Sequence, residues 1–347
     1  MKSLRRLFPY FRPYRRTLLW GIFFILLSTV FSVIAPVIIR DAIDSLEQNL
    51  TGGSLFRYAL FIVVVSLLSG VFLYLTRQTI IVVSRRIEFD LRNDFLRHVT
   101  SLPQNFFATM TTGDLMAHAT NDISAVRMFV GPAVMYSSNT MFSFIIIVGM
   151  MLSIHPLLTL YALLPLPFLS YAVNRLGTLI HKRYEAIQQH YGTMTGRTQE
   201  SISGIRVVKA YRREAYEARL FHDMSEEYRK RNMRMIRIQS LFMPMIAMLV
   251  GVSAILIIWL GGREVIANNL SLGELTQFII YLGMLIWPMA AIGWVVNLVQ
   301  RASASMNRIE NILEAVPDVA DDEETEQDIT DLRGEISFED VSFRYAE

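Results

Sequence analysis

The charged residues of this chain leave five long gaps. Residues 17–39 carry no charge over 23 positions, 58–76 over 19, 128–174 over 47, 238–262 over 25 and 275–300 over 26. The hydrocarbon core of a bilayer takes about 20 apolar residues of helix. The 47-residue gap is too long for one crossing, and His155-Pro156 interrupts it, so it reads as two spans joined by a tight turn. Six spans follow. They must be helices, because lipid offers no partner to open backbone N–H and C=O groups. A large soluble bundle is the competing reading. It would have to bury every one of these stretches, and only 18% of the residues are charged, against about 25% in soluble domains.

The charges orient the bundle. Lys and Arg number 30 in segments 1–16, 77–127, 175–237 and 301–347, and the other side holds only Arg40, Arg57 and Arg263. Cytoplasmic loops are the ones rich in Lys and Arg, so both termini and both long loops are expected inside. The N-terminal segment has no small-residue cleavage site after its apolar stretch, and that stretch exceeds a signal-peptide core. It reads as a retained first span. With no Cys there is no disulfide framework, no thiolate metal site and no cysteine nucleophile. A net charge of +2 is not that of a nucleic-acid binder.

The outer connections are short. The inner ones are 51 residues (77–127) and 63 residues (175–237). Ile87, Leu91, Phe95 and Val99 recur at four-residue steps, the spacing of one helix face. The inner connections therefore continue the membrane helices into the cytoplasm. About 25 residues per arm at 1.5 Å rise project roughly 40 Å. Stalks of that reach either contact another component or brace the bundle as a hairpin.

Each stalk must reverse. The first reversal lies in 101–127, where Pro103 disfavours helix before it, Gly113 offers a break, and Thr112 or Asp114 is placed to cap a new helix. The second lies in 201–221. After Gly204 come apolar Ile205, Val208 and Tyr211 interleaved with basic Arg206, Lys209, Arg212 and Arg213. A short helix with an apolar and a basic face suits docking into a partner's groove. A solvated helix near phospholipid has the same spacing.

These turns carry a resemblance. Phe106-Phe107, Thr112-Gly113-Asp114-Leu115 and Thr120-Asn121-Asp122 resemble the first intracellular loop of the ATP-binding cassette (ABC) exporters. Residues 203–211 (SGIRVVKAY) with Glu214 resemble their second loop. Leu272-Gly273-Glu274-Leu275 before the last span and Asn307-Arg308-Ile309 after it fit as well. His118 departs from the pattern, which usually has Arg there. The likeness covers essentially the whole chain and is greatest to bacterial multidrug half-transporters. It implies an all-α membrane protein, with a six-span transmembrane domain over 1–316. An acidic linker over 317–333 and the β start of a nucleotide-binding domain over 334–347 would follow. It also implies that both turns are coupling helices seated on nucleotide-binding domains. Phe106, Phe107, Gly113 and Asp114 would serve the first contact, and Tyr211, Arg212 and Glu214 the second.

The C-terminal stretch differs in composition. Residues 301–347 hold 14 acidic residues against 4 basic. Ile336, Phe338, Val341, Phe343 and Tyr345 alternate with polar residues, which reads as two short strands. The resemblance implies that Tyr345 stacks on adenine. A strand aromatic without ligand is the plain alternative. The phosphate-cradling motif G-x-x-x-x-G-K-[ST] does not occur. These 347 residues are therefore expected to supply no catalytic residue, no metal site and no ATP hydrolysis. ATP and Mg²⁺ would be cofactors of the complete protein only, with the chain ending where its ATPase domain begins.

The spans hold almost no ionisable groups, which speaks against a proton-coupled transporter and against charged selectivity rings. His155 reads as a turn residue rather than a proton relay. In the last span Trp287, Trp294, Asn297 and Arg301 fall near one face, and Gln277, Tyr281 and Met284 form another stripe. Pro288 suggests a kink. Aromatic, Met and amide groups would suit a cavity for amphipathic small molecules, or else pack against neighbouring helices and lipid. The expected function is the membrane half of an ATP-driven multidrug exporter in a bacterial cytoplasmic membrane. Its partners would be a second half-transporter (homo- or heterodimer), nucleotide-binding domains and lipids, with no nucleic acid. The alternatives are export of lipid or peptide, or a non-ATP scaffold or facilitator complete at Glu347.

Overall fold

Each uncharged stretch folds as helix, and so does most of the charged sequence between. The computed structural model describes residues 3–47, 52–316 and 334–342. A segment of single turns around α1 (Phe8–Phe11) leads into α2 (Arg15–Glu47). α3 (Gly52–Thr76) passes through a π-turn at Arg77–Ile81 into α4 (Val82–Thr100). After two short helices, α5 (Gln104–Thr109) and α6 (Thr112–Ala117), the chain returns. It runs through α7 (Ile123–Met128) and α8 (Val134–Ile154), with π-turns before and between them. α9 (Pro156–Leu163) and α10 (Pro165–Ser203) follow, then α11 (Ile205–Ala210) and α12 (Glu214–Gln239). α13 (Phe242–Leu256), α14 (Gly262–Ile266) and the 42-residue α15 (Leu272–Leu313) complete the helices.

Among the described residues, five helical runs are long and apolar enough to cross a membrane: Leu4–Glu47, Leu55–Thr100, Thr112–Ile154, Glu214–Ile266 and Leu272–Leu313. The second half of the 47-residue gap, expected as a span of its own, does not form one such run. Pro165 has no N–H to give the preceding turn, so the helix breaks at Leu164. α9 has only eight residues, and α10 meets its first charge at Arg175.

The core has two large clusters and a small third one of Ile25, Ile80 and Met135. In the charged half, Ile87, Leu91, Phe95 and Val99 of α4 are buried with Ile123 and Ile309. The four-residue spacing thus marks the inward stripe of the stalk, and each such side chain contributes about 1.5–3 kcal/mol by leaving water. In the apolar half, Ile147, Leu158, Ile257, Phe278, Tyr281 and Leu285 interlock. There α2 and α3 exchange reciprocal bonds, from Ser28 Oγ to Ser69 O and from Ser69 Oγ to Ser28 O, both 3.0 Å. α10 and α12 lie along each other, but α12 has no buried residue, and Met233, Ile236 and Leu241 stand exposed.

No strand occurs among the described residues. The two short strands expected over 334–347 are not seen in 334–342, which forms no backbone ladder with any other described residue. A strand needs a neighbour to pair with, and no described segment offers one. Tyr345 and the acidic segment 317–333 lie outside the described residues.

Candidate functional site

The stalk reverses first through two short helices, the second of them capped by a side chain. Pro103 and Thr111 both hold extended backbone, with ψ of 161° and 152°, and so start α5 and α6. Thr111, one residue before the Thr112 expected from sequence, is the cap of α6. Its hydroxyl accepts from Asp114 N at 3.2 Å and donates to Asp114 Oδ2 at 2.8 Å. Phe106 packs on the stalk core. Phe107 meets it edge-on at 5.6 Å but stays exposed, as do Gly113 and Asp114. The tip thus presents Phe107 and a small polar rim to the outside.

Beyond the tip, the π-turn His118–Asp122 inserts one extra residue, and Asp122 lies 7% exposed against α15. Its carboxylate accepts from Ser305 Oγ at 2.7 Å, from Arg308 Nε at 2.9 Å and from Arg308 Nη2. His118 Nδ1 lies 2.6 Å from Oδ2, the oxygen that also accepts from Arg308 Nε. Burial pushes the carboxyl up, but the bonds from Arg308, His118 and Ser305 outweigh it and hold the group down at about 2. The Thr120-Asn121-Asp122 and Asn307-Arg308-Ile309 motifs, separate in sequence, are the two halves of one clamp. Ser305 was not singled out from sequence. Its only signal is its place one helical turn before Arg308.

More charge surrounds this clamp. Glu88, 9% exposed, is met by Arg85 and Arg92 at 3.1 Å and by Arg127 at 3.4 Å. Sequence reasoning missed it, although Arg85, Glu88 and Arg92 fall at helical spacing. Arg6 pairs with Glu310 at 2.6 Å and also with Glu314. Tyr10 and Tyr14 donate to Asp94 and Asp90 at 2.8 and 3.0 Å. The N-terminal segment, the first loop and the end of α15 are thereby one fastened body.

The second reversal is built differently. α11 ends with Arg213 N bonded to Val208 O at 2.9 Å and Arg212 N to Lys209 O at 3.2 Å. That pairing is a Schellman motif, whose left-handed position usually holds Gly. Here it holds Arg212, at φ 52°. Lys209 reaches Glu214 at 3.2 Å, and Arg213 lies over the Tyr216 ring at 4.6 Å. A bond from its own backbone N–H, then Lys209, hold the Glu214 carboxyl below its ordinary value. Tyr211 is 77% exposed, and Ile205, Val207 and Arg212 are exposed with it. Val208, expected on that apolar face, is half-buried instead.

The last span separates its two stripes. Gln277 and Tyr281 are fully buried: Gln277 Nε2 donates to Tyr281 OH at 3.0 Å, and that hydroxyl donates to Val33 O at 3.0 Å. They fasten α15 to α2. Met284 is half-buried. Trp287, Trp294 and Asn297 are exposed, and Trp294 meets Tyr136 edge-on at 5.2 Å. α15 runs unbroken through Pro288.

At the other end of α15 the Leu272-Gly273-Glu274-Leu275 motif has a local cause. Ser271 and Glu274 form a capping box, and Asp44 of α2 accepts from Ser271 Oγ and Gly273 N at 2.8 Å each. A Cβ on Gly273 would strike the Arg40 carbonyl and Asp44. His155 caps α9 by accepting from Leu158 N at 3.1 Å. Among the described residues no cluster of three His, Asp or Glu is arranged to hold a metal.

The sequence profile of the ABC transporter transmembrane region matches residues 18–289. The chain is 31% identical to the multidrug resistance-like ATP-binding protein MdlA of Escherichia coli (strain K12), over 99% of this chain and 58% of that protein. It is 34% identical to the probable multidrug resistance ABC transporter ATP-binding/permease protein YheI of Bacillus subtilis (strain 168), with the same two coverages, 99% and 58%. Identity to the ATP-dependent lipid A-core flippase of Syntrophus aciditrophicus (strain SB) is 26%, over 99% of this chain and 57% of that protein. The chain thus spans somewhat under three fifths of the length of these relatives.

Proposed function

The chain belongs to the family of ABC transporter transmembrane regions, and we propose that it is the membrane half of an ATP-driven exporter of amphipathic compounds. In this reading it crosses the bacterial cytoplasmic membrane six times with both termini inside. Residues 156–174, uncharged across the break at Leu164, would make the fourth crossing. Residues 334–347 would open a nucleotide-binding domain, and a second half-transporter would cover the exposed arm of α10 and α12.

The observation that carries the reading is the contrast between the two stalk turns. The first is clamped through Asp122 and Arg308 to the helix that leads out of the bundle. The second ends in an exposed apolar and basic tip at Tyr211 and Arg212. One end is fastened and the other presented, as a lever requires. Nucleotide binding to attached domains would supply the free energy, by favouring one arrangement of the two halves over the other. Phe106, Phe107, Gly113, Asp114, Tyr211, Arg212 and Glu214 would transmit it, and α15 would carry it between inward- and outward-facing states. Met284, Trp287, Trp294 and Asn297 would face the solute. The name of the flippase relative supports lipid as a second substrate class.

The test is transport by the full-length gene product, with its partner, in sealed inverted vesicles. ATP should drive uptake of a lipophilic cation, a short peptide or a labelled phospholipid. If none moves under ATP, the reading fails.

A further inference from the structure

The end of the bundle that holds the α14–α15 connection carries few charges, and most are matched. Arg40 pairs with Asp41 at 2.7 Å. Asp44 takes Ser271 and Gly273, and Glu264 takes Asn269 at 2.9 Å and lies 3.9 Å from His155. Arg263 is exposed and its side chain has no partner among the described residues. It stands at the rim of an open cleft of ≈ 460 Å³, whose other lining residues are Ile255, Ile258, Trp259, Gly262 and Ile266. The π-turn Ile257–Gly261 immediately precedes Gly262. A Cβ on Gly262 would meet nothing within 4 Å, so the floor of the cleft is open space. Trp259 is 62% exposed one helical turn from Arg263.

We propose that this cleft binds an acidic phospholipid, with the phosphate on Arg263, the glycerol region against Trp259 and an acyl chain along Ile255 and Ile258. Three features select that occupant over a neutral lipid or a protein surface. A single unneutralised guanidinium favours a phosphate oxygen pair geometrically as well as by charge. Trp belongs at the headgroup level of a membrane. The remaining wall is aliphatic, with no donor or acceptor for a polypeptide. The same pairing of Arg and Trp one turn apart recurs in a ≈ 350 Å³ cleft of Arg16, Leu19, Trp20 and Phe23 at the far end of the spans. There many other cations are near, so the effect of one Arg is best read at Arg263. The inference takes α13 and α14 to lie in a bilayer, and it needs neither ATP nor transport.

The experiment uses the full-length gene product with Trp20, Trp287 and Trp294 replaced by Phe, so that Trp259 alone reports from these 347 residues. Any Trp beyond them is replaced likewise. It is reconstituted with brominated phosphatidylglycerol or brominated phosphatidylcholine at equal mole fraction. Trp259 should be quenched as though the acidic lipid were enriched about five-fold at the cleft, the effect of one cation near a membrane surface. Arg263→Ala should equalise the two lipids, Arg263→Lys should keep most of the preference, and Gly262→Phe should fill the cleft and reduce quenching by both. Equal quenching of the unsubstituted cleft would overturn the proposal, as would a preference that survives Arg263→Ala. Absence of quenching by either lipid would mean that a second copy covers this face, and overturns it too. Failure here leaves ATP-driven uptake as a separate question, and failure of uptake leaves this result standing.

Discussion

Arg308 closes on Asp122 across 186 residues of sequence, its Nε 2.9 Å from Oδ2 and its Nη2 on Oδ1. Asp122 is almost wholly buried, whereas Arg308 is half exposed, so the two partners are not equal. Removing Arg308 leaves a buried carboxylate with only Ser305 and His118. Removing Asp122 leaves a cation that turns to water. Arg308→Ala is therefore expected to destabilise by about 2 kcal/mol, discounted for the exposure of the guanidinium. Asp122→Asn, which keeps shape and some bonds, should cost less. Denaturant unfolding of both variants in detergent checks the order; an equal or reversed cost would refute the account.

The same carboxyl gives a pH dependence. It sits at about 2 when folded, against 3.8 when free, so the unfolded chain takes up its proton first. Its stabilisation is complete above about pH 4 and is lost as the pH falls through the interval down to 2. Arg308→Ala, which brings the folded value back toward the free one, should flatten this acid limb relative to the unsubstituted chain. Unfolding midpoints measured from pH 6 to 2.5 read the difference. Parallel limbs would show that other carboxylates dominate.

The packing at Gly273 makes a sharper claim. A methyl group there would collide with the Arg40 carbonyl and with the Asp44 carboxylate that caps α15. Backbone cannot step aside as a side-chain end can, so Gly273→Ala is expected to cost about 1–3 kcal/mol. Asp44→Ala removes bonds to Ser271 and Gly273 and should fall in the same range. A combined variant should cost less than the sum, because each change already opens the same contact. Thermal unfolding of the three proteins is sufficient, and strict additivity would count against the shared contact.

What sequence made legible was local. Charge-free length marks helices because the bilayer rule needs no knowledge of neighbours. Ile87, Leu91, Phe95 and Val99 announce the buried face of α4 by spacing alone. What it did not make legible depends on partners distant along the chain. The stripe of Gln277 and Tyr281 and the stripe of Trp287 and Trp294 were both visible as faces of one helix. Only the arrival of Val33 decides that the first is buried. The clamp was present as two motif fragments with nothing to join them. The cap at Thr111 was missed by one residue, since Thr111, Thr112 and Asp114 are all able to cap and only backbone angles choose. The expected fourth span shows the limit differently: charge counting passes over Pro165, and the helix does not.

Arg212 offers a way to separate fold from function at the second turn. Its left-handed backbone, φ 52°, costs a non-glycine residue about 1 kcal/mol. A free turn would be better served by Gly, so Arg212 stands there at a cost in local stability. Arg212→Gly is therefore expected to stabilise the turn, by up to about 1 kcal/mol, and to slow hydrogen exchange at Arg213 N, the amide that closes it. In the full-length protein the same variant should reduce the stimulation of ATP turnover by transported compounds if the side chain touches a nucleotide-binding domain. Arg212→Asn, tolerant of the left-handed region but uncharged, should behave like Gly in turnover. Arg212→Lys should keep both the strain and most of the stimulation. A variant that gains stability without losing stimulation would remove Arg212 from the coupling contact and leave Tyr211 as the residue to test. Loss of both would mean that the strain is not local, contrary to the hydrogen bonds that define the turn.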